Sequence, residues 1–115
     1  MSLTTTVLCD GECMKKEILA VIIYPYRRVP VFQPINIENF KRIVGDSIEK
    51  VDIDEKFAVI CDSKGKENGK DINLTIKTTG ENIYGTAIIC KTEGEVFKSL
   101  DIKESYEADK LYIRY

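Results

Sequence analysis

The chain has 115 residues, of which 43% are hydrophobic and 31% are charged, a length and balance that fit one soluble globular domain. It contains no histidine, which excludes catalytic triads with an imidazole base, histidine-ligated zinc sites and imidazole proton shuttles. Its 17 basic and 19 acidic side chains leave a net charge of −2, so we do not expect the strongly basic face of a protein that binds bulk nucleic acid.

The first residues show no helix or strand pattern. Residues 1–17 lack hydrophobic periodicity, which predicts a flexible leader before a single α+β domain at residues 18–115. The leader has no basic segment followed by an apolar one, so no secretory signal is expected. No apolar run approaches the roughly 20 residues that cross a bilayer. We therefore expect a cytoplasmic protein that does not bind membranes.

Two strands and a helix are predicted in the first half of the domain. Residues 18–24 are apolar and rich in β-branched side chains, which predicts a central strand, and residues 31–34 predict a short edge strand. A helix is predicted over residues 36–44, because Asn36 is a suitable N-cap and Gly45 a suitable end. Its apolar positions follow the spacing of one buried face.

Short strands and one charged loop follow. Residues 48–53 predict a half-exposed strand, and residues 57–61 predict a second buried strand. Residues 62–71 contain two glycines, one asparagine and six charges, which is typical of a solvated loop. Residues 72–79 are compatible with a strand or a short irregular helix. Residues 82–90 predict one strand with an internal glycine, which often marks a bulge.

The last element is a helix predicted over residues 102–112. Together the elements predict an α+β fold: a mixed, mostly antiparallel sheet of about five strands, with two helices packed on one face. Buried central strands need cover on both faces. A second protomer would cover the remaining face, so a homodimer is one expected arrangement.

The four cysteines do not form a recognisable metal site. Cys9 and Cys13 lie close together in the leader, whereas Cys61 and Cys90 each end an apolar strand. A structural zinc site normally combines two closely spaced pairs of ligands, and the chain has only one such pair. We expect free thiols, with Cys61 and Cys90 buried, and neither a metal nor a cofactor.

Two charged stretches are better explained as surface than as sites. Residues 65–70 resemble a phosphate-binding P-loop only loosely, because three residues separate the glycines and Asp71 replaces the hydroxyl residue. Six acidic residues occur from Asp46 to Asp62, but their spacing does not match a calcium-binding loop. A small enzyme that uses paired carboxylates or a lysine is therefore only a second alternative.

One cluster combines cationic and aromatic side chains. Tyr24, Tyr26, Arg27 and Arg28 follow the first buried strand. A guanidinium group can pair with phosphate through two parallel hydrogen bonds, and a tyrosine ring can stack on a base. The alternative interpretation is a solvated turn that carries two charges.

Several fragments, taken in order, follow a known pattern. They are Val21-Ile22-Ile23-Tyr24-Pro25, Val29-Pro30, Ile43-Val44-Gly45, Ile48-Glu49, Val59-Ile60-Cys61-Asp62, Gly65-Lys66, Gly69, Asn73, Ile83-Tyr84-Gly85-Thr86-Ala87-Ile88-Ile89 and Phe97-Lys98-Ser99-Leu100. Their order and spacing resemble an uncharacterised family of small domains, domain of unknown function 3846, from phages, plasmids and conjugative elements of Gram-positive bacteria. The chain departs from that pattern at Leu74, where relatives often carry a basic residue.

The resemblance implies a habitat and no activity. Small accessory proteins of mobile elements often blunt host defences, so our leading hypothesis is a non-enzymatic protein of the host bacterial cytoplasm that captures a small anionic, nucleotide-like ligand and counters a defence signal. The ligand-binding candidates are Tyr24, Tyr26, Arg27, Arg28, Asn73 and Thr86. The alternative is a protein-interaction module that blocks or adapts a host protein through an apolar patch near residues 31–32 or 112–115.

Overall fold

Three apolar strands form the centre of the main sheet in the computed structural model, which describes residues 17–94 and 96–114. They are β1 (Glu17–Ile23), β4 (Phe57–Asp62) and β7 (Ala87–Glu93). β7 lies between the other two and pairs with both of them in antiparallel register. Because helices or strands cover both faces, the central residues are apolar without alternation, as the sequence predicts.

Three further strands complete this sheet at its sides. β2 (Val31–Asn36) pairs with β1, and β3 (Ile48–Asp52) pairs with β4, which gives the order β2-β1-β7-β4-β3. β8 (Val96–Lys98) pairs with the end of β7. The prediction of an edge strand is confirmed, and Pro34 lies in it, where a missing N–H is tolerated.

A second, three-stranded sheet has the order β6-β5-β9. It contains β5 (Ile72–Ile76), β6 (Asn82–Tyr84) and β9 (Tyr112–Arg114). The sequence was compatible with either a strand or a short irregular helix over residues 72–79, and β5 shows that this segment begins as a strand.

The prediction of one strand over residues 82–90 is wrong. The segment contains β6 and β7, which belong to different sheets. Gly85 lies between them with φ +82, a left-handed conformation that suits glycine, and its N–H donates to the Asp71 carbonyl. The internal glycine thus marks a change of sheet instead of a bulge.

Both helices are short, and side chains cap the 3₁₀ turn before the first helix and the start of the second. Asn36 Oδ1 accepts a hydrogen bond from the Glu38 N–H at the start of a 3₁₀ turn, which leads into α1 (Phe40–Val44). Asp101 and Glu104 form a capping box at the start of α2 (Ile102–Ala108). α2 ends four residues earlier than the sequence predicts, and Tyr112 begins β9.

Two hydrophobic cores lie on opposite faces of the main sheet. One contains Phe40 and Val44 of α1, together with Ile22 and Ile88 of the sheet. The other contains side chains of the second sheet and Ala108 of α2.

The α+β class and the mostly antiparallel sheet are confirmed, but the helices lie on opposite faces and not on one. Because this chain covers both faces itself, the argument for a dimer from an uncovered face no longer applies.

The remaining sequence predictions concern the ends of the chain and membranes. The predicted leader, residues 1–17, lies outside the described residues except for Glu17, which begins β1. In the part of the chain that the structure describes, neither the length nor the apolar character of any helix suffices to span a bilayer.

Candidate functional site

The segment that follows β1 turns sharply and brings aromatic and cationic side chains together. The Arg27 N–H donates to the Tyr24 carbonyl at 3.2 Å. The rings of Tyr24 and Tyr26 lie 5.3 Å apart between centroids, and the Arg27 guanidinium carbon lies 5.9 Å from the Tyr24 ring centroid. The last distance is typical of a cation–π contact. The four clustered residues of the sequence prediction are therefore neighbours in space.

A third arginine joins this turn from the other end of the chain. Arg114, in β9, donates from Nη2 to the carbonyls of Tyr24 and Arg27, each at 2.9 Å. The sequence analysis missed this residue. Its local sequence gave no signal for this position, and 90 positions separate it from Tyr24.

We call the space beside this turn the cationic cleft. It has a volume of about 220 Å³, and its lining residues are Pro25, Tyr26, Arg27, Arg28 and Arg114. No carboxylate belongs to this lining. Among the residues described, none of the three guanidinium groups forms an ion pair. The cleft therefore holds positive charge on a chain whose net charge is −2.

The interior side of the cleft also contains unused hydrogen-bond donors. Arg114 Nε and Nη1 are buried and have no hydrogen-bond partner within the described part of the chain. A buried, unpaired donor is unfavourable by about 1–3 kcal/mol, and more when it is charged. An anion that reached these atoms would remove this cost.

Thr86 and Asn73 lie at the same end of the main sheet. The register pairs Ile23 with Ala87, and its continuation by one residue places half-exposed Thr86 opposite Tyr24. Asn73 is fully buried, and its Nδ2 donates to the carbonyls of Ile23 at 2.8 Å and Gly85 at 2.9 Å. Asn73 thus holds the backbone just before the turn, and its predicted contact with a ligand stays a prediction.

A second cleft, of about 180 Å³, is lined by charged residues, one of which is held in an ion pair. Its carboxylates include Asp62, whose Oδ2 lies 2.8 Å from Lys70 Nζ. This hydrogen bond lowers the pKa of Asp62, although burial opposes it, so the carboxyl group stays ionised. Lys70 Nζ also donates to the Val44 carbonyl at 2.8 Å. The lysine of the P-loop-like segment therefore has a structural role.

The two thiols among the described residues are buried and stay protonated at neutral pH. Cys61 and Cys90 are free, and burial raises the pKa of each to about 12. Nearby carboxylates, first that of Glu49, contribute to the raised pKa of Cys61. Across residues 17–94 and 96–114, no three His, Cys, Asp or Glu side chains are grouped so that they could hold a metal ion. Cys9 and Cys13 lie outside the described residues.

A third depression, which we call the apolar groove, runs between the main sheet and α2. Its volume is about 190 Å³, and its lining residues are Val21, Val29, Pro30, Phe32, Ser105, Tyr106 and Asp109. Val29 is 69% exposed and Tyr106 is 67% exposed. Of the apolar patches suggested by the sequence, the one at residues 31–32 contributes Phe32 here. At the other, Tyr112 is buried, Ile113 is exposed and Tyr115 lies outside the described residues.

The fold and the site together define a two-sheet α+β domain with a cationic cleft at the end of its central strands. The chain belongs to the family described as Domain of unknown function (DUF3846), whose model matches residues 14–110. No curated protein and no solved structure matches it. The family resemblance is confirmed, and the family description carries no activity.

Proposed function

We propose that this protein binds a small anionic, nucleotide-like ligand in the cationic cleft and holds it without converting it. The observation that carries the proposal is the convergence of Arg27, Arg28 and Arg114 on one cleft, where the described residues offer them no ion-pair partner. Guanidinium groups suit phosphate because their planar donors match its oxygens in pairs.

The aromatic side chains supply the nucleotide-like part of the proposal. Tyr26 is 78% exposed and lies next to Tyr24, so its ring is available to a base or another planar group. Stacking of a base on an aromatic ring contributes about 1–3 kcal/mol. A ligand that carries both a phosphate and a ring would use both kinds of side chain.

The biological part of the proposal rests on the family resemblance. Within a phage or another mobile element, a protein of the host bacterial cytoplasm that captured a nucleotide signal would counter a host defence. Capture without conversion predicts that the ligand is recovered chemically unchanged. This is checked by chromatography of nucleotides released from the protein after prolonged incubation; a new product would show that the protein is an enzyme.

Thermal unfolding in the presence of linear and cyclic nucleotides tests ligand binding. A ligand at 100 times its dissociation constant should stabilise the folded protein by about 2.7 kcal/mol. The double variant Arg27→Gln/Arg28→Gln should lose this stabilisation. The matched control is Lys41→Gln/Arg42→Gln, which removes the same charge from exposed positions on α1 and should keep it.

Two results would contradict the proposal. One is the absence of stabilisation by every nucleotide although the protein is folded. The other is an equal loss of stabilisation in the two double variants, because this would indicate an effect of net charge and not of the cleft.

A second candidate function, a protein-interaction module, is favoured by the exposed Val29 and Tyr106 beside the apolar groove. It predicts a stable complex with one host protein and no stabilisation by nucleotides. Val29→Asp should abolish that complex, whereas Arg27→Gln/Arg28→Gln should preserve it. The two functions are therefore distinguished by which variant loses binding: Arg27→Gln/Arg28→Gln for the nucleotide, or Val29→Asp for the host protein.

A further inference from the structure

We propose that the apolar groove holds the base of the nucleotide whose phosphate lies in the cationic cleft, and that Asp109 selects guanine. This inference rests on the proposed function and names the ligand class more closely; it assigns the base to the groove and leaves Tyr26 beside the phosphate. It is carried by the adjacency of the two depressions, by the lining of the groove and by the way in which Asp109 is held.

One short segment forms a wall of both depressions. Residues 26–28 line the cationic cleft, and the next two residues, Val29 and Pro30, line the apolar groove. Consecutive Cα atoms are about 3.8 Å apart, so the two depressions lie close to each other along this segment. In a nucleoside monophosphate, one sugar separates the phosphate from the base. A single such molecule matches a cationic site next to an apolar one.

The lining of the groove suits a flat ring. Val29, Phe32 and Tyr106 provide apolar and aromatic surface on its walls. Small-molecule sites typically combine such walls with a few polar groups that fix the orientation of the ligand. The volume of about 190 Å³ is small, which favours one ring system over a whole dinucleotide.

Asp109 is the charged group in the lining of the groove, and it is held in place. Its Oδ1 accepts a hydrogen bond from the Tyr112 hydroxyl at 3.1 Å. Tyr112 is buried, and burial, together with the charge of Asp109, raises the pKa of the hydroxyl above its usual range. The hydroxyl therefore stays protonated and remains a donor, while Asp109 keeps acceptor capacity for a ligand.

A carboxylate distinguishes bases by the groups that face it. An ionised carboxylate only accepts hydrogen bonds. Guanine presents two adjacent N–H donors on its Watson–Crick edge, whereas adenine presents one donor next to an acceptor nitrogen. Asp109 would pair with both guanine donors but would meet a lone pair on adenine.

Isothermal titration calorimetry of the full chain with three probes tests this inference. The probes are guanosine 5′-monophosphate, adenosine 5′-monophosphate and ribose 5-phosphate. We expect the guanine nucleotide to bind roughly tenfold or more tightly than either of the others, since stacking and paired hydrogen bonds are lost without the correct base. Ribose 5-phosphate reports on the phosphate site alone.

Two variants and their controls assign the effect to the groove. Tyr106→Ala should weaken binding of the guanine nucleotide and leave ribose 5-phosphate unchanged, whereas Ile102→Ala, an equally exposed change on α2, should alter neither. Asp109→Asn should reduce the preference for guanine over adenine, and Asp46→Asn, at another exposed site, should not.

The outcomes separate the two proposals. If all three probes bind equally and their binding depends on Arg27 and Arg28, the base site is wrong and the proposed function stands. If the preference for guanine survives both Tyr106→Ala and Asp109→Asn, the base site is also wrong. If no probe binds and a host protein occupies the groove, both proposals fail.

Discussion

Gly85 shows how one residue determines the course of the chain. Its φ of +82 turns the backbone from the second sheet into the main sheet. A Cβ atom at this position would lie 2.7 Å from Lys70 Cδ, and the Nζ of that lysine is bound to Asp62 and to the Val44 carbonyl. The site thus excludes a side chain for two reasons, the backbone conformation and the close approach of an anchored lysine.

Gly85→Ala should therefore destabilise the protein by about 2 kcal/mol or more, of which about 1–2 kcal/mol comes from the left-handed backbone alone. Gly80→Ala is the matched control, because Gly80 has φ +73 and no atom within 4 Å of the added Cβ. Urea denaturation measures both free energies of unfolding. Equal losses would show that the contact with Lys70 does not matter.

The charge of Glu104 is strongly stabilised by its surroundings. Its carboxylate lies 3.0 Å from Lys56 Nζ and 3.1 Å from Lys91 Nζ, and Oε1 accepts from the Asp101 N–H. Burial by itself would raise its pKa. The hydrogen bonds from Asp101, Lys56 and Lys91 outweigh burial and lower the pKa from 4.5 to about 2.

A lowered pKa in the folded state contributes stability above pH 4.5, and this contribution is lost as the pH falls towards 2. Glu104→Gln should reduce the free energy of unfolding by about 1–3 kcal/mol at pH 7, and by less at pH 3. Urea denaturation at both pH values measures the difference. Glu67→Gln, in the exposed loop, should have the same small effect at each pH; a similar profile for both variants would disprove the assignment to Glu104.

At the scale of the element, α2 depends on its cap because it has only seven residues. Isolated helices of this length are unstable in water, so end contacts and packing decide whether it forms. Asp101→Ala removes the acceptor for the Glu104 N–H and should cost about 1 kcal/mol. Asp101→Asn keeps a capping oxygen and should recover most of the loss in thermal denaturation. Equal losses in the two variants would exclude capping as the cause.

The elements also show which local predictions succeed. The helix predicted over residues 36–44 is found in part, as a 3₁₀ turn over residues 37–39 and an α-helix over residues 40–44, because Asn36 and Gly45 act on the residues next to them. The end of α2 was not predictable, because Tyr112 leaves the helical pattern to pair with Ile76 of β5. Pairing with a distant strand overrides the local periodicity there.

At the scale of the whole molecule, Asn73 connects the two sheets. It lies in β5 of the second sheet and donates hydrogen bonds to Ile23 at the end of β1 and to Gly85. Both acceptors belong to the segments that lead to or from the cationic cleft. This buried side chain therefore fixes the position of one sheet relative to the other where the candidate site is built.

Asn73→Leu keeps the branched four-atom shape of the side chain but leaves both carbonyls without their donor. Each unsatisfied buried group costs roughly 1–3 kcal/mol, so we expect a loss of about 3 kcal/mol in the free energy of unfolding, measured by urea denaturation. Asn68→Leu in the exposed loop is the control and should change stability by less than about 0.5 kcal/mol. A small effect at Asn73 would contradict its role as a connection between the sheets.

By itself, the sequence determined the features that depend on neighbouring residues: the buried strands, the helical segment between Asn36 and Gly45, and the cluster of Tyr24, Tyr26, Arg27 and Arg28. The absence of histidine and the near-neutral charge also excluded imidazole chemistry and a strongly basic face before any fold was known. Only the tertiary structure decided that the helices cover opposite faces, that Gly85 divides two sheets, and that Arg114 completes the cleft. These features depend on pairings between segments far apart in the chain, and local periodicity carries no information about which distant strand a segment will meet.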